Sequence, residues 1–189
     1  MSTQTRRPIV GGIAGGVGTT TVAHLVDGVD VGVVDAEGTR QVDVLVTRAT
    51  AVAVNWAIST AKAMRTRPIL VVVANSTGHW PAVVERRLKM AATNLSTPVV
   101  RLGWCSPLAA SDNPWELLAE AAFHPDRKAH RWANDALECH IAVVKAVQER
   151  HSTESSSVPA PFGGEVAAYP DPAPLAAVDL SHRPVKRVS

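Results

Sequence analysis

The chain has 189 residues, 46% of them hydrophobic and 19% charged, and its 19 Lys+Arg against 17 Asp+Glu leave a net charge of +2. That composition excludes a disordered polyelectrolyte and a strongly electrostatic nucleic-acid binder, leaving only a local basic patch for the latter. Cys105 and Cys139, the two cysteines, cannot build a disulfide framework or a four-cysteine zinc site. No apolar run reaches the ~18 residues of a membrane span, and glycines interrupt the apolar stretch after Arg6-Arg7 that a signal peptide would need. These features read as a soluble, cytoplasmic globular protein in a reducing compartment.

In chain order, short apolar runs alternate with helical patterns. Ile9-Val10 leads into Gly11-Gly12, and Thr19 to Val26 reads as a helix after the glycines. Val31–Val34, closed by Asp35, and Val42–Val46 read as strands, and Ala51 to Met64 as an Ala-rich helix. Ile69–Val73 is a continuous apolar run, β-branched at all but Leu70, ending before Asn75, and such runs suit strands buried on both faces. Pro81 to Leu95 reads as a helix with proline in its first turn and a stripe of Val83, Val84, Leu88, Ala91 and Leu95. Val99 to Leu102 is a last strand. A final helix follows Asp126 as cap and carries Trp132, Ala133, Ala136, Val143, Val144 and Val147 at helical spacing to Arg150. This alternation predicts an α/β fold, a doubly wound, mostly parallel sheet over residues 1–150, ending in a C-terminal helix. Residues 151–189, with six of the 13 prolines, Ser155-Ser156-Ser157 and a basic end from His182 to Arg187, read as a disordered Pro/Ser-rich solubilising tail.

One segment carries chemistry. Gly11 to Gly18 holds five glycines in eight residues, between a strand and a helix, followed by Thr19-Thr20-Thr21. Glycines let the backbone turn sharply and approach a ligand, and successive N–H groups form an anion cradle. The threonines can cap the helix and offer hydroxyls to a phosphate or its metal. Two designs compete. The dinucleotide pattern G-x-G-x-x-G fails in register at Thr21. The looser Gly12-x-x-x-Gly16-x-Gly18, with Asp35 ending the next strand where a ribose-binding acid would sit, resembles the short-chain dehydrogenases and implies NAD(P). Their Tyr-x-x-x-Lys pair is missing, since the single tyrosine is Tyr169 in the tail.

The second design is the P-loop. Ala14-Gly15-Gly16-Val17-Gly18-Thr19-Thr20-Thr21 resembles KGGVGKTT, the deviant Walker A motif of the ParA/MinD class of P-loop ATPases. Val31 to Gly38 is similar to the Walker B strand of that class, apolar residues followed by D-x-x-G. The runs ending at Arg48 and Asn75 are similar in order to its later core strands, so the resemblance spans residues 8–120, with only the first two stretches specific. It implies a P-loop NTPase-like fold and ATP with Mg²⁺ as ligand. By that resemblance Gly15 to Thr20 wrap the phosphates, Thr20 and Asp35 hold Mg²⁺ and its water shell, Gly38 marks the γ-phosphate sensor, and Asn75 falls where the family contacts the base. Both family lysines are replaced, by Ala14 and Thr19. Loss of one charged donor costs about 1.5–3 kcal/mol, a roughly 10- to 100-fold weaker affinity, and hydrolysis suffers more. Arg40, Arg48 and Lys62 are candidate substitutes that the sequence does not rank. Asp27 and Asp30 have no room to form a switch segment between Val26 and Val31. The expectation is a degenerate nucleotide site with a regulatory or scaffold role in positioning-type processes and at most weak ATPase activity. The alternatives are an NAD(P)-type domain and a protein-interaction module without nucleotide.

The remaining candidates read as structural. His124, His130, Cys139 and His140 match no zinc spacing. Cys105 and Cys139 read as inert thiols, His140 as a packed histidine, and Trp80 and Trp132 as packing anchors. No G-x-S-x-G elbow accompanies the serines. Arg86, Arg87 and Lys89 form the densest basic group on a helix, the candidate surface for weak DNA binding by family resemblance, though a solvated face is the plainer reading. The tail offers no amphipathic helix for membrane attachment. Leu102–Pro107 and Pro114–Glu116 lie where α/β sheets bind ligands, and are the places to seek a protein partner or a base contact.

Overall fold

A computed structural model of the chain describes residues 6–123 and 131–156. The basic and proline-rich tail from residue 157 onward, together with His124, Asp126 and His130, lies outside the described residues.

Five strands form one all-parallel sheet: β1 (Ile9–Gly12), β2 (Val29–Val33), β3 (Val44–Arg48), β4 (Ile69–Val73) and β5 (Val99–Leu102), in the order β2-β1-β3-β4-β5. Among the described residues six helices accompany them: α1 (Thr19–Leu25), α2 (Ala51–Ala63), α3 (Ala82–Leu95), α4 (Ser106–Ala109), α5 (Pro114–Phe123) and α6 (Arg131–Ser156). Helices α2 and α3 pack together, and α1 and α6 each pack on α5. Two helix groups around one parallel sheet are compatible with double winding. The order of strands reverses direction at β1 and β3, so the crevice beyond their carboxyl ends is the switch point where such sheets take ligands.

The core follows from the apolar runs. Val44, Leu45 and Val46 of β3 and Ile69, Leu70, Val71 and Val72 of β4 are fully buried, because both strands are covered on both faces. On α3 the buried stripe is Val84, Leu88, Ala91 and Leu95. Val83, expected in that stripe, is 48% exposed, since it lies one position off the four-and-three spacing of the others. Pro81 sits at the N-cap of α3 rather than inside it, and α2 is capped by Thr50, whose Oγ1 accepts from the Ala53 amide. On α6, Ala133, Ala136, Cys139, Val143 and Val147 are buried, and the helix runs on to Ser156. No proline stops it before Pro159.

Two runs are used differently from the expectation. Val34 and Val42 were read as strand residues, yet both lie in the connection from β2 to β3, residues 34–43, which carries no helix. That connection is a strap across one face of β1. Val34 and Val42 are buried, and their side chains close on Gly11 so tightly that a Cβ there would meet Val34 at 2.4 Å. β2 is the exposed edge strand. Asp30 accepts from the Gly32 amide at 2.8 Å and Arg40 Nη1 donates to the Val31 carbonyl at 2.7 Å, so side chains satisfy part of its edge. Among the described residues no helix is long and apolar enough to cross a membrane.

Candidate functional site

The glycine loop joins β1 to α1. Gly16 and Gly18 have φ of +68° and +94°, a left-handed backbone that favours glycine. Gly18 is the N-cap of α1 and no side chain caps that helix, so the threonines do not serve as expected. Thr19 turns its hydroxyl back toward Gly12, where an added Cβ would lie 2.2 Å from Oγ1. Val17 is buried beneath the loop.

A cavity of about 430 Å³ opens beyond the carboxyl ends of the strands. Gly16, Val17, Gly18 and Thr21 form one side of it. Val73, Ala74 and Asn75 follow β4, and Leu102, Gly103, Trp104 and Cys105 follow β5. Leu108, Pro114 and Trp115 close the far side. The His24 ring stacks on Trp115, with centroids 4.2 Å apart and planes within 10°, which fixes the indole at the rim. Arg48, the last residue of β3, completes the wall. Its Nε donates to the Gly16 carbonyl at 2.8 Å, and Nη2 donates to the same oxygen. No aspartate or glutamate lines this cavity among the described residues.

Of the residues expected at a phosphate site, Gly16, Val17, Gly18, Thr21 and Asn75 lie on the cavity. Gly15 is exposed, with nothing within 4 Å of an added Cβ. Thr20 and Asp35 are each engaged elsewhere. Thr20 Oγ1 donates to Asp30 Oδ2 at 2.7 Å, tying the start of α1 to β2. Asp35 accepts from the Thr39 hydroxyl at 2.6 Å, the Thr39 amide at 2.9 Å and the Arg40 amide at 3.4 Å. The Thr39 hydroxyl first, then its amide, holds the Asp35 carboxyl down at about 2. These bonds leave lone pairs on both the Thr20 hydroxyl and the Asp35 carboxylate, but neither residue lines the cavity, so a Mg²⁺ held by the pair would not sit on a ligand there. As placed, the pair does not fit a Mg²⁺ bound to a ligand of this cavity, and among the described residues no cluster of three His, Cys, Asp or Glu offers another metal site. Gly38 is off the cavity. It is buried with φ +65°, and an added Cβ would lie 2.9 Å from Met64 Cγ, so its bareness serves packing on the end of α2.

The expected helical basic group is divided. Arg87 Nη1 donates to the Ala51 carbonyl of α2 and is half-buried, whereas Arg86 and Lys89 are exposed. Arg101 forms a two-point ion pair with Glu85, at 2.8 and 2.7 Å, and lies over the Trp80 ring at 5.5 Å. Burial, with the Asp135 carboxylate nearby, pushes the Cys105 thiol up to about 11, and burial pushes Cys139 up to about 12. Both are therefore neutral thiols at neutral pH, unsuited to nucleophilic attack. His140 is half-buried, with Nδ1 at 2.7 Å from the Leu25 carbonyl.

Sequence reasoning left Arg48 unranked among three cations. Its only local signal is a basic residue ending an apolar run. What brings it to the loop is the pairing of β3 beside β1, which no local pattern encodes. Compared with protein-family models, curated proteins and solved structures, the chain matches none.

Proposed function

We propose that the chain is a P-loop-like protein of ParA/MinD type whose cavity holds a nucleotide without efficient turnover, in a regulatory or scaffold role toward a protein partner. The observation that carries this reading is the cavity itself. It has a glycine loop and a cation on one side and two indoles on the other, at the switch point of a parallel sheet. Its volume of about 430 Å³ suits a ligand of nucleotide size. Strand order supports the same reading, because β1, which leads into the loop, lies beside β2, which leads to Asp35. Against turnover stand Ala14 and Thr19 in place of lysines and the position of Thr20 off the cavity.

The NAD(P) reading draws on Asp35 near the end of β2. It loses support because Asp35 does not line the cavity.

Calorimetric titration with Mg-ATP, GTP and NAD(P)H, on the natural protein and on Thr19→Lys, tests the proposal. Saturable binding of ATP, strengthened about tenfold or more by the lysine, is the expected result. Binding of NAD(P)H alone would refute the P-loop reading. No binding by either protein would leave an interaction module that uses the glycine loop only as a turn.

A further inference from the structure

The geometry points to Arg48 as the phosphate-binding cation of this cavity, and to a nucleotide held there without a divalent metal. This inference rests on reading the cavity as a nucleotide site, and deepens it by assigning the charge.

Three observations carry it. First, Arg48 is held in place. Its Nε and Nη2 both donate to the Gly16 carbonyl, so one edge of the guanidinium is fixed against the glycine loop. The remaining N–H groups stay available on the cavity wall, and a guanidinium presents them in a planar fork suited to two phosphate oxygens. Second, its charge has no ion-pair partner. Among the described residues no carboxylate pairs with the exposed Arg48, the one side chain with a full positive charge on the cavity; the Asp135 carboxylate lies against Gly103 and Cys105 of the wall but does not line the cavity. A mostly apolar cavity with a single unpaired cation favours an anionic ligand, because the ligand supplies the missing partner. Third, the groups that would hold Mg²⁺, the Thr20 hydroxyl and the Asp35 carboxylate, do not line the cavity. A ligand that brings one phosphate to one guanidinium needs no metal to neutralise it. The chemical class is therefore a nucleoside monophosphate, or the terminal phosphate of a similar aromatic compound, with its base toward Trp104 and Trp115.

The arrangement places the cation on β3 rather than on the loop. A lysine from α1 would reach the phosphates from below the loop. Arg48 reaches them from the side, and the same side chain that binds the ligand also braces Gly16.

The test is calorimetric titration of the full chain with adenosine, AMP and ATP, each with Mg²⁺ and with EDTA, against Arg48→Gln and Arg48→Ala. Glutamine is the informative replacement, because its amide can still donate to the Gly16 carbonyl while the charge is gone. AMP is expected to bind equally in Mg²⁺ and EDTA. Both variants are expected to lose about 10- to 100-fold in AMP affinity, the worth of one charge-assisted contact, with adenosine binding unchanged. Circular dichroism and a melting curve on each variant show that it is folded, and Arg48→Gln remains the test if Arg48→Ala is not. AMP binding by Arg48→Gln at the natural strength would overturn the inference while leaving the nucleotide reading intact. So would binding that vanishes in EDTA. Failure of the natural protein to bind adenosine, AMP or ATP would overturn the nucleotide reading and this inference with it.

Discussion

Gly38→Ala separates a packing role from a ligand-sensing one. Gly38 has φ +65°, and an alanine pays about 1–2 kcal/mol to adopt that left-handed backbone. Its Cβ would lie 2.9 Å from Met64 Cγ, 3.0 Å from the Met64 amide nitrogen and 3.1 Å from the Thr60 carbonyl oxygen. Two of those three atoms are helix backbone and cannot swing away, so overpacking adds about 1–3 kcal/mol. The narrower unfolded ensemble of alanine returns about 0.4–1 kcal/mol. The net expectation is about 3 kcal/mol of destabilisation. Gly32→Ala is the matched control. Gly32 has φ +73° but nothing within 4 Å of an added Cβ, so it should lose only about 1 kcal/mol. Urea unfolding reads the contrast, since with a slope of about 2 kcal/mol per molar the two midpoints should differ by about 1 M. Coincident midpoints would refute the packing argument. Equal midpoints together with lost nucleotide affinity in Gly38→Ala alone would restore a sensing role.

Two further outcomes follow from the titratable groups. Asp35 has its carboxyl held at about 2 in the folded chain, against an ordinary value of about 3.9 when unfolded, so its contribution is present above about pH 4 and lost as pH falls toward 2. The gap in urea midpoint between the natural protein and Asp35→Asn should shrink over that range, and a gap independent of pH would contradict the Thr39 hydrogen bonds as its source. Cys139 is fully buried, with its thiol pushed up to about 12, and Cys105 is half-buried at about 11, so at pH 8 a thiol reagent should label both far more slowly than in urea. Labelling of Cys139 in the folded protein at the rate of an exposed thiol would contradict its place in the core.

Strands β4 and β5 were legible to the residue, because β4 is a continuous apolar run, β5 is one interrupted only by Arg101, and each is set off from the next element by polar residues or glycine. β3 lies two residues later than its apolar run, and β2 starts two residues earlier and ends one earlier, because the buried valines of the strap, Val34 and Val42, look like strand residues in a one-dimensional pattern. Helices α4 and α5 have no counterpart among the elements expected from the sequence. Pro107 and Pro114 signal a break in the pattern, yet both sit in the first turn of a helix, where the missing N–H costs nothing. The glycine loop was legible because its composition is local. The engagement of Thr20 with Asp30 and of Arg48 with Gly16 was not, because each bond joins elements that only the sheet brings together.

The strap has one more consequence. β1 ends in two neighbouring glycines that face opposite ways, with Val34 and Val42 pressing on Gly11 and Thr19 and Val17 pressing on Gly12. At that level only the β1 backbone separates the strap from the base of the loop, as a diaphragm. Stiff interiors transmit displacement rather than absorb it. A truncation at Val34 or Val42 that touches nothing in the cavity should therefore alter how the loop is held, read as faster amide exchange from Gly15 to Thr20. The strap thus has a mechanical address in the glycine loop that borders the cavity.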